Sequence, residues 1–241
     1  MSTRRIAIVG ARGIKNYGGF ETFVGELSPR LVKHNYRIFC SCEKQYFNPK
    51  RYQGVELLYF PRSPPSDYSL RKIYEIIYDF YFCIVTPIIW HCDVVYVLGT
   101  TGGIAAVIPR LFGKFTILNP DGLEWKRSKF NLIERVLLKF FFELAIMSSN
   151  LIIIDNEKLR NHINKVYHQK IAYIPYGTNP ISSIPWVFDM LPKKITNQMN
   201  NLAPNNYLLV VARLEPENNI HVIIEAYQKS NTKMPLLIVG D

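Results

Sequence analysis

The sequence predicts an α/β protein built on a doubly wound parallel sheet. From residue 5 to residue 174, short runs of β-branched and aromatic residues alternate with longer runs of helical periodicity. This alternation is typical of a parallel sheet covered by helices on both faces. Polar and glycine-rich loops follow several of these runs, at the strand ends where such sheets bind ligands. A further strand, helix and strand after residue 205 predict the start of a second domain.

The predicted elements follow one another in a regular order. Each strand is a short apolar run, often β-branched, and the strands are predicted at Arg5–Val9, Tyr36–Ser41, Val55–Tyr59, Val94–Leu98, Phe115–Leu118, Leu151–Ile154 and Ile171–Ile174. Helices are predicted between them at Phe20–His34, Ser69–Trp90, Gly103–Leu111, Asn131–Ser148 and Glu157–Tyr167. Beyond residue 205, we predict a buried strand at Asn206–Ala212, a helix from Pro216 to Tyr227 and a second strand at Pro235–Asp241.

The stretch Ile73–Trp90 is the most apolar of the chain, and a membrane-spanning helix is an alternative to a buried one. Glu75 and Asp79 lie one helical turn apart near its start. The apolar run that follows, Phe80–Trp90, is well short of the ~20 residues that a span requires. We therefore predict a helix that is buried or lies at an interface.

The length and composition predict more than one domain. A chain of 241 residues with 48% apolar content is sufficient for one α/β domain and part of another. Between Tyr176 and Asn205 the periodicity fades, as in an interdomain connection. We predict an N-terminal domain at 1–180, a linker at 181–205 and a C-terminal domain at 206–241. A strand, a helix and a strand need more sheet beside them, so we expect the second domain to be incomplete.

The formal net charge of +10 indicates an anionic partner, which could be nucleic acid, anionic lipid or a diphosphate. The sequence has no RNA-binding signature, zinc-finger spacing or continuous basic helix, which argues against nucleic acid. Its four cysteines lack C-x-x-C spacing, and its N-terminus enters a strand without a signal peptide. A literal Asp-x-Asp motif is also missing. A cytoplasmic protein without a metal or cofactor is therefore expected.

Two glycine-rich loops follow predicted strands. In Gly10–Thr22, Arg12 occupies the place of the second glycine of a G-x-G-x-x-G fingerprint, which weakens the case for a nicotinamide cofactor. Gly18 and Gly19 precede a helix, where backbone N–H groups can approach a phosphate, although a plain turn would use the same residues. Gly99–Gly103 suits a bound sugar or phosphate, or simply a tight strand-to-helix turn.

The loop Asn119–Ser128 combines two acids, an aromatic residue and two bases directly after an apolar strand. This mixture is costly to bury without a function, although an exposed loop can hold it. Asp121 could form a turn through its own side chain, and Trp125 could be a packing residue. In the second domain, Arg213 could bind phosphate through two parallel hydrogen bonds or be an ordinary charge at a strand end.

Three motifs resemble those of retaining glycosyltransferases of the GT-B class, family 4. Ala212–Leu214 with Pro216–Asn219 resembles the donor-binding segment, with Asn218 in the place of the usual lysine. Tyr17–Thr22 and Asp121–Arg127 resemble motifs of a bacterial subgroup that includes rhamnosyltransferases. The resemblance implies the GT-B fold, here one Rossmann-like doubly wound domain and the start of a second.

The resemblance also implies roles for individual residues. The donor would be bound by Gly18, Gly19, Arg213, Glu217 and Asn218, the acceptor by Glu21, Thr22, Trp125, Lys126 and Arg127, and the catalytic residues would be Asp121 and Glu124. Asp121 would accept the proton of the acceptor hydroxyl, Glu124 would position the acceptor or Asp121, and Lys126 and Arg127 would contact an acidic phosphate. Glu21 could instead stabilise the helix dipole.

The implied activity is that of a retaining hexosyltransferase of cell-envelope polysaccharide synthesis. The sugar would be rhamnose from dTDP-rhamnose or a similar nucleotide sugar, and the acceptor lipid-linked or a polysaccharide, at the inner face of the cytoplasmic membrane. The family's donor-binding glutamates would follow Asp241, so weak or no catalysis is expected from this chain alone. The alternatives are a truncated, non-catalytic membrane-associated binding protein and, less favoured, a nicotinamide-dependent oxidoreductase.

Overall fold

The computed structural model describes residues 3–14, 16, 18–100, 103–127, 130–178 and 205–240. The chain forms two compact units, residues 1–176 and 177–241. The predicted boundaries at residues 180 and 205 stay predictions, because residues 179–204 lie outside the described part of the chain. These residues include nearly all of the predicted linker at 181–205.

The first unit contains one eight-stranded sheet. Its strands are β1 Arg5–Val9, β2 Arg37–Cys42, β3 Arg51–Tyr52, β4 Val55–Tyr59, β5 Val94–Leu98, β6 Phe115–Asn119, β7 Leu151–Ile154 and β8 Ile171–Tyr173. Their order across the sheet is β3-β4-β2-β1-β5-β6-β7-β8, and the neighbouring strands are parallel except for the antiparallel pair of β3 and β4. Because β2 and β5 flank β1 on opposite sides, this is the predicted doubly wound order.

Helices cover both faces of this sheet. They are α1 Gly19–Lys33, α2 Tyr68–Ile88, α3 Val107–Leu111 and α4 Leu132–Ser148. Successive side chains of a strand point to opposite faces. Val9 of β1 therefore packs into a core with Phe82 of α2 and Phe142 of α4, whereas Ile8 packs into a second core with Val24 of α1. The helix α1 lies on one face, and α2 and α4 lie on the other.

Local hydrogen bonds explain where the two long helices begin. A side-chain oxygen of Asp67 accepts from the first free backbone N–H groups of α2. At α4, Asn131 and Glu134 form a reciprocal capping box. The Glu134 carboxylate also accepts from Lys72 of α2 at 2.9 Å, which joins the beginnings of the two helices. The hydrogen bond from Lys72, followed by the capping bond, lowers the pKa of Glu134.

Most predicted elements agree with the structure to within about two residues, but the helix predicted at Glu157–Tyr167 is wrong. This segment forms two 3-10 helices, Glu157–His162 and Lys165–Lys170. The side chains of Asn156 and Asn164 each accept from a backbone N–H group at the start of one of them. Such local bonds compete with a continuous α-helix, and Asn164 interrupts it.

Two shorter segments also differ from the prediction. The helix predicted at Gly103–Leu111 begins only at Val107, after a turn over residues 103–106. The strand β3 was not predicted, because a strand of two residues has no readable periodicity. It pairs with β4 through a turn in which Gln53 and Gly54 both have positive φ, 46° and 86°, as is favoured in two-residue hairpins.

The second unit contains the predicted strand, helix and strand. They are β9 Leu208–Val211, α5 Ile220–Lys229 and β10 Leu236–Val239, and the two strands are parallel. The helix does not start at Pro216, because Pro216–Asn218 is a 3-10 helix and Asn219 has a left-handed backbone with φ 52°. The prediction that the first strand is buried is wrong, since Val211 is 71% exposed. One helix cannot cover both faces of a two-stranded sheet.

The apolar stretch Ile73–Trp90 forms most of α2, which ends at Ile88, and the residues Ile89 and Trp90 that follow it. In the part of the chain that the structure describes, no helix has the length and apolar character needed to cross a membrane.

We predict that Asn131→Ala lowers the free energy of unfolding by about 1 kcal/mol, because the capping box of α4 loses its side-chain acceptor. Urea unfolding followed by circular dichroism measures the change. The exposed mid-helix substitution Lys139→Ala is the control, with an expected change below about 0.5 kcal/mol. Equal effects of the two substitutions would contradict the role of the cap.

Candidate functional site

A cleft lies at the carboxyl ends of β1 and β5, where the strand order of the first unit reverses. Loops that leave neighbouring strands toward opposite faces of a sheet open a crevice at this point. The cleft has a volume of about 250 Å³. It is lined by Gly10, Arg12, Phe20, Glu21, Glu75, Leu98, Gly99, Thr100, Asp121 and Glu124. It therefore combines residues at and after the ends of β1, β5 and β6 with the first turn of α1 and one residue of α2.

The loop after β1 is held tightly against its neighbours. Gly10 has φ 108°, and a Cβ atom there would lie 2.2 Å from the carbonyl oxygen of Leu98 in β5, so glycine is required. The backbone N–H of Arg12 donates to Oε1 of Glu21 at 2.9 Å. A Cβ atom on Gly18 would lie 1.9 Å from Oε2 of the same carboxylate. The glycine at position 18 thus makes room for Glu21 at the edge of the cleft.

The side chain of Arg12 is fixed from several sides. Its Nη1 lies 3.0 Å from Oδ1 of Asp79, and its Cζ lies 4.3 Å from the ring centroid of Tyr78, both in α2. Its Nε lies 3.9 Å from Oε1 of Glu43. Burial alone would lower the pKa of Arg12, but the nearby negative charge, chiefly that of Asp79, raises it above the ordinary value. Arg12 is therefore a permanent cation at the wall of the cleft.

Charged side chains continue from Arg12 to the start of α2. Glu43 Oε1 lies 2.5 Å from Nη2 of Arg71, and Nε of Arg71 lies 3.1 Å from Oε1 of Glu75. We refer to Asp79, Arg12, Glu43, Arg71 and Glu75 as the ion-pair chain. Burial raises the pKa of Asp79 and of Glu43, while the adjacent arginines oppose the rise. The ion-pair chain connects the loops after β1 and β2 to α2.

The loop after β6 brings two further carboxylates to the cleft. The side-chain oxygen of Asn119 accepts from the backbone N–H of Asp121 at 3.0 Å, and Asp121 has φ 61°. The turn is thus formed by the side chain of Asn119. Asp121 is exposed at the cleft. Glu124 begins the 3-10 helix Glu124–Lys126 and lies 3.1 Å from Nη1 of Arg127.

The structure brings Glu21, Asp121 and Glu124 to one cleft, and it places the other predicted acceptor residues outside the lining. Trp125 packs against Phe142 of α4, with 4.4 Å between ring centroids, as the packing alternative expects. Lys126 Nζ lies 3.4 Å from Nε2 of His162. The hydroxyl of Thr22 donates to the carbonyl oxygen of Gly18 inside α1. Tyr17, Thr101, Gly102 and Ser128, which belong to the predicted motifs, lie outside the described residues.

The predicted donor-binding residues of the second unit lie on one loop between β9 and α5. Arg213 and Glu217 are exposed. The side-chain nitrogen of Asn218 donates to the carbonyl oxygen of Arg213 at 2.7 Å. The amide of Asn218 therefore closes this loop on itself. In the first unit, Gly18 precedes α1 and Gly19 is its first residue.

Arg12, Glu75 and Asp79 were not among the residues that the sequence predicted for the site. Arg12 was considered only as a departure from a dinucleotide fingerprint, and the two acids only as an argument against a membrane span. Two carboxylates spaced by one helical turn in an otherwise apolar helix indicate a buried ion pair, because buried charges need partners. An arginine directly after the first strand is the matching partner.

The comparisons with known proteins agree with this architecture. A model of a family described as a domain of unknown function, DUF1972, matches residues 3–179. The chain belongs to this family. A search of curated proteins gave no match. This DUF1972 chain is similar in structure to a sucrose-phosphate synthase from Thermosynechococcus elongatus, at a TM-score of 0.72 and 13% identity over 98% of the chain.

Two further solved structures are similar to the DUF1972 chain at 13% identity over its whole length. They are a glycosyltransferase from Rickettsia africae, at a TM-score of 0.62, and UGT89C1 of Arabidopsis thaliana in complex with UDP, at 0.51. The chain covers 62% of the synthase, 61% of the Rickettsia enzyme and 65% of UGT89C1, so it spans under two thirds of their lengths. At these identities the likeness establishes the fold, which is the predicted Rossmann-like α/β fold of the GT-B type.

We predict that Asp79→Ala lowers the free energy of unfolding by about 3–5 kcal/mol, because the buried Arg12 loses its nearest partner. Chemical unfolding measures the change. Glu26→Gln, which alters an exposed pair with Arg30 in α1, is the control, with an expected loss below about 1 kcal/mol. Similar losses in the two variants would show that the buried ion pair has no special importance.

Proposed function

We propose that this DUF1972 protein is a glycosyltransferase that moves a sugar from a nucleotide-sugar donor to an acceptor hydroxyl. The observation that carries the proposal is the convergence of Glu21, Asp121 and Glu124 with Arg12 at the switch point of the sheet. Ligands bind at this position in open α/β sheets. The similarity in fold to a glycosyltransferase and to a UDP-bound enzyme supports the same class of chemistry.

The proposed acceptor site is the cleft of the first unit. Asp121 is exposed there, next to Glu124, whose partner Arg127 holds it in place. A carboxylate within reach of the acceptor hydroxyl can take its proton as the oxygen bonds to the anomeric carbon. Glu21 and Glu124 can accept hydrogen bonds from the other hydroxyls of a sugar. Trp125, Lys126 and Arg127 were predicted to contact the acceptor, and Lys126 and Arg127 carry the charge that an acidic carrier phosphate would need.

The proposed donor site includes the exposed Arg213 and the loop that Asn218 closes behind it. When the bond between the anomeric carbon and the diphosphate oxygen breaks, negative charge grows on the leaving diphosphate. A fixed guanidinium stabilises that charge without reorganisation. Glu217 belongs to the same loop of the second unit, and Gly18 and Gly19 at the start of α1 are the donor residues that the motifs assign to the first unit. The proposed transfer requires no metal ion or cofactor.

The finer assignment rests on the sequence motifs. The three motifs support a retaining rhamnosyltransferase of family 4 that uses dTDP-rhamnose or a similar sugar nucleotide. They also support a lipid-linked or polysaccharide acceptor in cell-envelope synthesis, and a cytoplasmic protein peripheral to the inner face of the membrane. A non-catalytic binding protein would keep the donor affinity and lack transfer, so activity and binding assays separate the two functions.

We expect the chain to bind dTDP-rhamnose or dTDP, measured by isothermal titration calorimetry. Arg213→Ala should weaken this binding at least about tenfold, because one charge-assisted hydrogen bond contributes about 1.5–3 kcal/mol. Arg213→Lys should recover part of the affinity, since it keeps the charge but loses the bidentate geometry. If neither dTDP nor UDP binds, the proposed donor site is wrong.

A second prediction concerns catalysis. In a version of the protein that transfers sugar, Asp121→Asn should abolish transfer to a lipid-diphosphate-linked acceptor while donor affinity and unfolding stay unchanged, because the amide cannot accept the proton. Transfer is measured with radiolabelled dTDP-rhamnose. Glu157→Gln removes an exposed carboxylate that pairs with Arg160 outside the cleft and should leave the rate unchanged. Undiminished turnover in Asp121→Asn would remove this residue from the mechanism.

A further inference from the structure

The helix α4 exposes an apolar face to solvent. Leu132 is 77% exposed, Ile133 81% and Val136 71%, and Leu137, Phe140 and Met147 are also exposed on this side. The opposite side of the same helix is buried and contains Phe142, Ala145 and Ile146. A helix on the surface of a globular protein normally has a polar outer face. The helix α4 is instead apolar on both sides.

The neighbouring helix α2 has the same character. Ile73 and Ile77 are 56% and 54% exposed, and Leu70, Ile84 and Ile88 are exposed as well, whereas Tyr78 and Phe82 of the same helix are buried. The pair of Lys72 and Glu134, at 2.9 Å, holds the N-terminal ends of α2 and α4 together. We call the solvent-exposed apolar sides of α2 and α4 together the outer face.

The apolar exposure is specific to this side of the sheet. On the opposite side, α1 exposes Thr22, Glu26, Arg30 and Lys33 to solvent, and its large apolar side chains are buried or partly buried. The helices on the two faces of the sheet thus differ in pattern within a single unit. Apolar side chains that are contiguous and exposed on one face mark an interaction surface.

The positive charges around the outer face favour an anionic binding partner. Lys126 lies in the 3-10 helix that precedes α4, whereas Lys72 at the N-terminal end of α4 is paired with Glu134. At the C-terminal end, Arg110 and Lys170 both donate to the backbone oxygen of Met147. Lys139 is exposed on α4 itself. A second copy would bring the same positive charges together, whereas an anionic surface would neutralise them.

We propose that the outer face docks on an anionic lipid bilayer. The exposed isoleucine, leucine and phenylalanine side chains would enter the boundary between head groups and acyl chains, and the surrounding lysine and arginine side chains would contact anionic head groups. The protein would lie on the bilayer surface without crossing it.

Docking by this face would also position the cleft. In a parallel sheet, connecting helices begin at the edge where the strands end, so the N-terminal ends of α2 and α4 lie on the side of the cleft. Glu75 of α2 lines the cleft, and Glu124 precedes α4 and lines it too. A hydroxyl on a lipid-linked acceptor would therefore meet the cleft at the bilayer surface. This last step rests on the proposed function, whereas docking itself does not.

Vesicle flotation tests the proposal with the whole chain. The protein should float with phosphatidylcholine vesicles that contain phosphatidylglycerol, and less with phosphatidylcholine alone or at high salt. The double variant Ile133→Glu with Phe140→Glu should reduce the bound fraction about tenfold or more, because it places two charges in the apolar face. Both positions are exposed, so the circular dichroism spectrum and melting temperature should be unchanged.

The matched control is the double variant Tyr46→Glu with Phe47→Glu. These side chains are also exposed, and they lie on the loop after β2, outside the outer face. The control changes the net charge by the same amount and should float like the original protein. If both variants lose flotation alike, overall charge rather than the outer face governs binding, and the proposal is overturned.

Two other outcomes would also overturn it. One is a protein that does not float with anionic vesicles. The other is self-association of the protein, measured by light scattering. If the Ile133→Glu, Phe140→Glu variant abolishes this self-association but still floats, the outer face binds a second copy instead of a bilayer. The variant should still bind dTDP like the original chain. If neither the original chain nor the variants bind dTDP while the original chain still floats with anionic vesicles, the proposed function is contradicted and the docking proposal stands.

Discussion

The buried ion pair between Arg12 and Asp79 holds the functional end of the first unit together. A guanidinium and a carboxylate that are both withdrawn from water stabilise a fold only as a pair, since the loss of either leaves a buried charge. Here the pair joins the loop after β1 to α2, and Glu43 and Arg71 extend it to the loop after β2 and the start of the same helix. The cleft therefore has a rigid wall made of side chains that are far apart in sequence.

The charge of the cleft is consistent with the acceptor site that we propose. Among the described lining residues, Glu21, Glu75, Asp121 and Glu124 are acids and Arg12 is the cation, which is already paired. Such a surface suits neutral hydroxyl groups that donate hydrogen bonds. The proposed phosphate ligand of the second unit, Arg213, is an exposed cation on a loop.

The sequence predicted the sheet well because the strands of the first unit other than β3 are short apolar runs that end at polar or glycine-containing loops. It predicted Asp121 and Glu124 because acids that follow a buried strand are conspicuous. It did not predict that Arg12 pairs with Asp79, because the two charges can be noticed separately but no local pattern joins residues 67 positions apart. The exposed outer side of α4 was also not predicted, since hydrophobic periodicity identifies an apolar side but cannot tell which side faces the core when both are apolar.

The helix α2 shows why the stretch Ile73–Trp90 left two alternatives open. Its inner side is a core helix, with Tyr78 and Phe82 buried, and its outer side carries exposed isoleucines like those of an interfacial helix. Glu75 and Asp79 resolve the apparent conflict, because both carboxylates are directed into the ion-pair chain and neither interrupts the outer side. One helix can thus contribute to the core, the wall of the cleft and the outer face at once. A substitution in α2 would then affect substrate binding and surface attachment separately, according to the side on which it falls.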